Sequence, residues 1–150
     1  MKVLIQRVKS AAVTVDGVCV GSIEGGLLAY VGLAKGDDLA CAKKLVDKLL
    51  AYRIFENTTD PDKLGKMDKS VTDVAGGLLL VSQFTLMADT KSGRRPDFTP
   101  AMPPVEAKAL FDALVDYAKS VHGQVATGRF GANMQVTAVN DGPTNFLLES

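Results

Sequence analysis

The first third of the chain alternates between apolar and polar positions in the manner of β-strands. Residues 2–8 and 12–15 are rich in β-forming residues, and Asp16-Gly17 directly after them is a strong hairpin signal. Residues 18–23 predict the returning strand, and the apolar run at 27–33 predicts another. We therefore predict an amino-terminal set of strands joined by tight turns.

Two later segments carry apolar residues at helical spacing. The first helix is predicted from about Asp38, a favourable N-cap, to about Tyr52. The second is predicted to open at Pro103-Pro104, since proline is favoured in a first turn, and to close at His122-Gly123. These two are the main helices of the chain.

The remaining apolar runs predict short strands. Gly76-Gly77 precedes a buried strand at 78–81, and residues 134–139 and 144–148 predict two more strands, with a turn at 140–143 between them. Residues 57–69 and 88–104 are predicted to be exposed loops. The order favours one α+β domain over residues 1–150, with a largely antiparallel sheet or a partly closed barrel.

The composition is that of a soluble globular protein. Of 150 residues, 47% are hydrophobic and 23% charged. No stretch is long enough to span a membrane, and the first residues turn polar too soon for a secretory signal. We therefore expect a cytoplasmic protein with no membrane partner.

The charge balance argues against a general nucleic-acid binder. Lys+Arg and Asp+Glu both number 17, so the net charge is zero, and we expect no DNA partner. A protein that grips only the end of an RNA needs just a local basic patch. Two groups of basic residues are candidates: Lys91, Arg94 and Arg95, and Lys63, Lys66 and Lys69. Taken alone, each group is more often part of a solvated loop than of an RNA-binding site.

Metal and thiol chemistry receive little support. Cys19 and Cys41 lie among apolar neighbours, which predicts buried, reduced thiols. His122 is the only histidine, and no ligands stand at zinc-site spacing, so we expect no metal and no cofactor.

Conventional catalytic devices are also missing. A Ser-His-Asp triad would need His122 as its base, but that residue is predicted at a helix end. Two segments nevertheless stand out. Ser82-Gln83-Phe84-Thr85-Leu86 follows a buried strand and would point groups into a cleft, or else is a strand emerging into solvent. Asn140-Asp141-Gly142-Pro143, taken alone, is a plain turn.

Together these segments resemble the two signature motifs of the D-aminoacyl-tRNA deacylase family. The likeness covers almost the whole chain. It includes Ile5-Gln6-Arg7-Val8, Tyr52-Arg53-Ile54-Phe55, Gly65-Lys66-Met67, Arg95-Pro96-Asp97-Phe98 and Gly128-Arg129-Phe130-Gly131-Ala132-Asn133-Met134. One departure is visible: the family commonly has valine then threonine after the Gly-Pro pair, whereas this chain has Thr144 and Asn145. We assign Thr144 no chemical role.

The resemblance implies a homodimeric hydrolase that cleaves the ester between a D-amino acid, or glycine, and the 3′ end of tRNA. Gly142 and Pro143, joined by a cis peptide, would enter the partner's pocket and leave no room for an L side chain. A rigid repulsive element of this kind is what chiral discrimination requires.

The resemblance also implies roles for other residues. Backbone N–H groups near Phe84 and Thr85 would stabilise an oxyanion, with Gln83 and Thr85 lining the pocket and the tRNA's own 2′-hydroxyl implicated in catalysis. Ser82, Phe130 and Met134 would bind substrate, with core packing as the alternative for the last two. Arg7 would orient the Gly-Pro loop, or is an ordinary surface arginine.

Two rival functions stay open from sequence. One is an unrelated esterase with Thr85 as nucleophile, which would depend on a base such as His122. The other is a non-catalytic RNA- or DNA-binding module.

Overall fold

The computed structural model describes residues 1–150 and contains both predicted helices in their predicted places, together with eight strands. They are β1 (Lys2–Val15), β2 (Val18–Ile23), β3 (Gly26–Gly32), α1 (Leu39–Ala51), β4 (Phe55–Glu56), β5 (Met67–Lys69), β6 (Gly77–Ser82), α2 (Pro104–Val121), β7 (Val125–Thr127) and β8 (Gln135–Glu149). Of these strands, β4, β5 and β7 were not predicted. The α+β prediction with two main helices is confirmed.

Six of the strands form one sheet that nearly closes into a barrel. Its order is β2-β1-β3-β6-β7, with β8 also paired to β1. The β3–β6 and β6–β7 pairs are parallel and the others antiparallel, so the sheet is mixed. The two ends of this order come together where Gly21 of β2 lies against the Thr127 carbonyl of β7. A Cβ at position 21 would collide with that backbone.

Strand β1 pairs with three other strands of the sheet. Residues 2–8 and 12–15 were predicted as separate strands, but they form one strand of 14 residues. Its first half pairs with β3 and its second half with β2, while β8 pairs along its other edge. A long, curved strand with three neighbours is what allows the sheet to bend towards closure.

Both faces of the central strands are buried. A core cluster of 23 buried residues lies between the sheet and the helices and includes Leu78 and Leu80. A second cluster of six fills the other face and includes Leu79 and Val81. Burial on both faces explains why the predicted strand at 78–81 has a continuous apolar sequence.

The helix boundaries match the sequence signals. The Asp38 side chain accepts a hydrogen bond from the Cys41 N–H (2.8 Å) and caps α1. Pro104 is the first residue of α2, and the His122 N–H closes that helix on the Ala118 carbonyl (2.9 Å). Neither helix has the combination of length and apolarity that crossing a membrane requires.

Three further sequence predictions were wrong. The stretch 57–69 is not wholly a loop, because it contains a 3-10 turn at Pro61–Lys63 and strand β5, which pairs with β4. Cys19 is exposed and Cys41 only half-buried, since each lies on the outer side of its amphipathic element. Residues 140–143 do not end a strand, because β8 continues through them as a bulge.

Candidate active site

A cleft of about 700 Å³ lies at the carboxyl end of β6. Of its 19 lining residues 12 are hydrophobic, and Lys35 is the only charged one. They come from the end of β3 and the residues just after it, the end of β6, the segment 98–104 with the first turn of α2, and residues 130–136 before and within β8. A concave apolar surface with a few polar groups is typical of a small-molecule site.

The floor of this cleft is Ser82-Gln83-Phe84, where β6 ends in a 3-10 turn at Phe84–Met87. The earliest hydrogen bond of the turn is donated by the Leu86 N–H to the Gln83 carbonyl (3.4 Å). The N–H groups of Phe84 and Thr85 therefore have no carbonyl partner within the turn. They are donors available to a ligand. No pattern in the sequence indicated the turn itself.

Thr85 is exposed and lies just outside the cleft lining. Its hydroxyl accepts a hydrogen bond from the Gln83 side-chain amide, so the two predicted residues do meet. Beneath the turn, Gly32 leaves no space for a side chain. A Cβ there would lie 2.9 Å from the Leu86 Cβ and 3.1 Å from the Gln83 carbonyl oxygen. The backbone of the floor is therefore held by direct packing against β3.

Aromatic and sulfur-containing side chains form the walls. Phe84 and Phe98 pack at 5.0 Å between ring centroids. Phe130 and Met134, the two residues with a predicted role in substrate binding, line the cleft, and both are half-buried against the cores. The alternatives of ligand contact and core packing therefore both describe these two side chains. Phe98 and Lys35 were not predicted individually as site residues.

The Gly-Pro segment forms a bulge in β8. Gln6 pairs with Asn145 and Val8 with Asn140, so the four residues 141–144 stand opposite Arg7 alone. We call residues 141–144 the Gly-Pro bulge. The Gly142-Pro143 peptide is cis, as predicted, and both residues are exposed. Neither lines the cleft of its own chain.

Arg7 lies at the base of the bulge and is half-buried. Its Nη1 donates to the Ile54 carbonyl (2.6 Å), and its Nε lies 3.3 Å from the Asp141 carboxylate. The latter contact is an ion pair without the alignment of a hydrogen bond. A Cβ at Gly142 would lie 3.1 Å from Nη2. Arg7 is thus packed against the bulge and is not an ordinary surface arginine.

Side-chain amides close the base of the bulge. The Asn140 side-chain oxygen accepts from the Thr144 N–H (3.0 Å). The Asn145 side-chain oxygen accepts from both Gln6 (3.0 Å) and Asn140 (2.8 Å). Asn145, the second of the two residues that depart from the family pattern, therefore links Gln6 of β1 to Asn140 on the other side of the bulge.

The sequence matches the profile of the family described as D-Tyr-tRNA(Tyr) deacylase over residues 4–149. The chain belongs to this deacylase family. Members of the family are hydrolases, so the chain is an enzyme. The two segments that carried the resemblance in the sequence are the cleft floor and the Gly-Pro bulge.

Curated relatives in the family are similar along their whole length. A protein of Psychrobacter arcticus named D-aminoacyl-tRNA deacylase is 64% identical over 149 residues, 99% of each chain. One of Ectopseudomonas mendocina with the same name is 61% identical over 149 residues, again 99% of each.

Solved structures show the same fold. A chain named c-Myc DNA Unwinding Element Binding Protein superposes with a TM-score of 0.92 at 36% identity, covering 100% of this chain and 99% of that one. A probable eukaryotic D-amino acid tRNA deacylase superposes with a TM-score of 0.83 at 18% identity, covering 98% and 97%. The second likeness concerns the fold alone.

Titratable groups of this deacylase-family chain lie mostly outside the cleft. The His122 ring contacts the Gly76 carbonyl (2.8 Å) at the end of α2 and does not line the cleft. Hydrogen bonds from the Thr99 side chain and backbone, helped by the charge of Lys35, lower the pKa of Asp97 beside the cleft. No three His, Cys, Asp or Glu side chains converge as metal ligands would.

Proposed function

We propose that this enzyme hydrolyses the ester that links a D-amino acid to the 3′ end of tRNA. The observation that carries the proposal is the cleft floor, where the N–H groups of Phe84 and Thr85, which have no carbonyl partner within the 3-10 turn, adjoin an apolar pocket. Membership of the deacylase family and the names of its curated relatives support the same substrate class. Such a substrate would place the enzyme in the cytoplasm.

The floor suits an ester that is already activated. Water attacks the ester carbonyl carbon, the carbonyl oxygen becomes an oxyanion, and the ribose oxygen leaves with a proton. The Phe84 and Thr85 N–H groups would stabilise the oxyanion by about 3–4 kcal/mol per donor. The cleft is lined by no carboxylate, histidine or thiol that could act as a base. We therefore assign the proton transfer to the neighbouring 2′-hydroxyl of the terminal ribose.

The walls suit the terminal adenosine and the amino-acid side chain. Phe98, Phe130 and Met134 offer flat or polarisable apolar surfaces on which a base can stack. Ser82 and Gln83 are half-buried polar groups at the bottom of the cleft and would orient the aminoacyl group.

Chirality would be read by the Gly-Pro bulge of a second subunit. Gly142 and Pro143 are exposed and outside their own cleft, so they are free to reach the partner's cleft near Phe84. Strand β8 also exposes Val139 and Leu147, 53% and 52% accessible, as apolar surface for a homodimer contact. Backbone atoms at the substrate's α-carbon would exclude an L side chain while admitting glycine, which has none.

The assignment of the proton transfer is tested by removing, in separate experiments, the Thr85 hydroxyl and the 2′-hydroxyl of the terminal ribose. Thr85→Ala should slow hydrolysis of D-tyrosyl-tRNA without abolishing it, because the hydroxyl lies outside the cleft lining. The same tRNA ending in 2′-deoxyadenosine should be hydrolysed at least about a hundredfold more slowly by the unchanged enzyme, a loss typical of removing a general acid-base group. A covalent aminoacyl adduct on Thr85, identified by mass spectrometry, would contradict the assignment and favour a nucleophilic esterase.

A further inference from the structure

A short loop with three basic residues lies directly beside the cleft. Residues 90–96, which we call the basic tip, leave and rejoin the fold through two backbone hydrogen bonds. The Asp89 N–H donates to the Asp97 carbonyl (2.8 Å) and the Asp97 N–H to the Asp89 carbonyl (3.1 Å). The next two residues, Phe98 and Thr99, line the cleft. Whatever the basic tip binds is therefore adjacent to the ligand in the cleft.

The cations of the basic tip are free. Lys91, Arg94 and Arg95 are exposed, and none of them takes part in an ion pair. The two nearby carboxylates are occupied at the base of the loop. Asp89 accepts from the Lys91 N–H (2.9 Å), and Asp97 accepts from the Thr99 N–H (2.9 Å) and hydroxyl (2.6 Å).

The other basic group of the sequence is engaged within its own segment. Lys63 lies 3.3 Å from the Asp68 carboxylate, and Lys66 donates to the Asp62 carbonyl (3.0 Å). Lys69 is half-buried in β5. The structure thus separates two groups that the sequence left equivalent: in one, Lys63 is paired with a carboxylate and Lys66 is held by a backbone carbonyl, and the other presents three unpaired charges to solvent beside the cleft.

We infer that the basic tip binds backbone phosphates of the single-stranded acceptor end of tRNA, inward of the nucleotide that the cleft holds. The inference rests on the proposed function. Arginine presents a planar fork of donors that matches phosphate geometry, and lysine adds a mobile point charge. Lys35, exposed at the cleft itself, continues the positive surface from the tip towards the terminal nucleotide.

This arrangement reconciles an RNA substrate with a net charge of zero. Phosphate contacts with a single strand contribute about 0.7 to the salt slope of log K for each charge neutralised, so three contacts contribute roughly 2. Raising salt from about 50 to about 200 mM should therefore weaken binding by an extra factor on the order of ten when the tip is intact.

The experiment compares two triple variants on two substrates. The tip variant is Lys91→Ala with Arg94→Ala and Arg95→Ala. The control variant removes the same charge from the helices by Lys44→Ala, Lys48→Ala and Lys119→Ala, none of which makes an ion pair. The substrates are D-tyrosyl-tRNA and the D-tyrosyl ester of adenosine, which has no phosphate to offer. The kcat/KM of each pair is measured against salt.

The tip variant should lose on the order of tenfold in kcat/KM on the tRNA and about two units of salt slope, and keep its rate on the adenosine ester. The control variant should match the unchanged enzyme on both. An unchanged salt slope in the tip variant, an equal loss on both substrates, or an equal loss in the control variant would each overturn the inference. If the unchanged enzyme hydrolyses neither ester, the proposed function itself fails, a result distinct from all of these.

Discussion

The cleft floor and the Gly-Pro bulge carry the candidate chemistry of this protein, and they are held in place by different forces. The floor follows a strand buried on both faces and rests on Gly32 with no spare space. The bulge leaves its strand and is held by Arg7 and a set of side-chain amides. Packing fixes the first segment, and a few polar contacts at a half-exposed site fix the second.

Because different forces hold them, the two segments should respond differently to substitution. A floor held by packing should be disturbed only by changes that also destabilise the domain, since interiors transmit strain through close contact. A bulge held by polar contacts should be misplaced by substitutions that leave most of the folding free energy intact. Substitutions at the bulge should therefore lower activity more than the free energy of unfolding, whereas substitutions at the floor should lower both together.

The largest effect is expected from the strand beneath the floor. Leu80→Ala should lower the free energy of unfolding by about 2–5 kcal/mol, because a fully buried leucine is replaced by a cavity. Deacylation should fall in proportion to the folded fraction. Urea unfolding checks the stability, with Leu64→Ala, an exposed leucine in the segment before β5, as the matched control. Equal losses of unfolding free energy in the two variants would contradict the conclusion that packing holds the floor in place.

A smaller effect on stability, with a larger one on activity, is expected at Arg7. Arg7→Ala leaves the buried Ile54 carbonyl without its donor and should cost about 1–3 kcal/mol. It also removes the contact between Arg7 and Asp141, so the bulge loses one of the contacts that hold it. At equal concentrations of folded enzyme, we expect the ratio of the deacylation rates on D- and L-tyrosyl-tRNA to fall.

Arg7→Lys separates charge from geometry in the same assay. Lysine keeps the positive charge but lacks the fork that reaches Ile54 and Asp141 together. It should restore stability in part and leave chiral discrimination impaired. Full discrimination in both Arg7 variants would show that the bulge is positioned by other contacts.

The smallest effect is expected at Asn145. Asn145→Ala removes an acceptor shared by Gln6 and Asn140 at an exposed position, so the loss should be about 1 kcal/mol or less. A double-mutant cycle with Gln6→Ala should give a coupling of about 0.5 kcal/mol or more. Strictly additive losses would mean that the Gln6–Asn145 contact contributes nothing to holding the bulge.

The sequence predicted the packed parts of this molecule better than the polar ones. Apolar spacing and caps located both helices, and the continuous run at 78–81 located the buried strand, because burial leaves a periodic record. The 3-10 turn after Ser82 left no such record. The bulge was read as a turn, since Asn140-Asp141-Gly142-Pro143 has turn composition, whereas pairing with β1 on both sides keeps it within β8.

The same limit applied to the site residues. The place of Ser82, Gln83 and Phe84 after a buried strand was compatible with a cleft, but only the resemblance to the deacylase family singled them out as site residues. The contribution of Phe98 and Lys35 depends on how segment 98–104 and the end of β3 fold against β6, which no local pattern records. The two basic groups could be told apart only from their tertiary contacts, since Lys63 has an ion pair and the three cations of the basic tip have none.

The central claim is that this chain removes D-amino acids, and not L-amino acids, from tRNA. The most direct measurement is the rate at which the purified enzyme releases amino acid from D-tyrosyl-tRNA and from L-tyrosyl-tRNA, each at the same concentration. We expect rapid hydrolysis of the D ester and, for the L ester, a rate no higher than its spontaneous hydrolysis. Equal turnover of both esters, or of neither, would contradict the account.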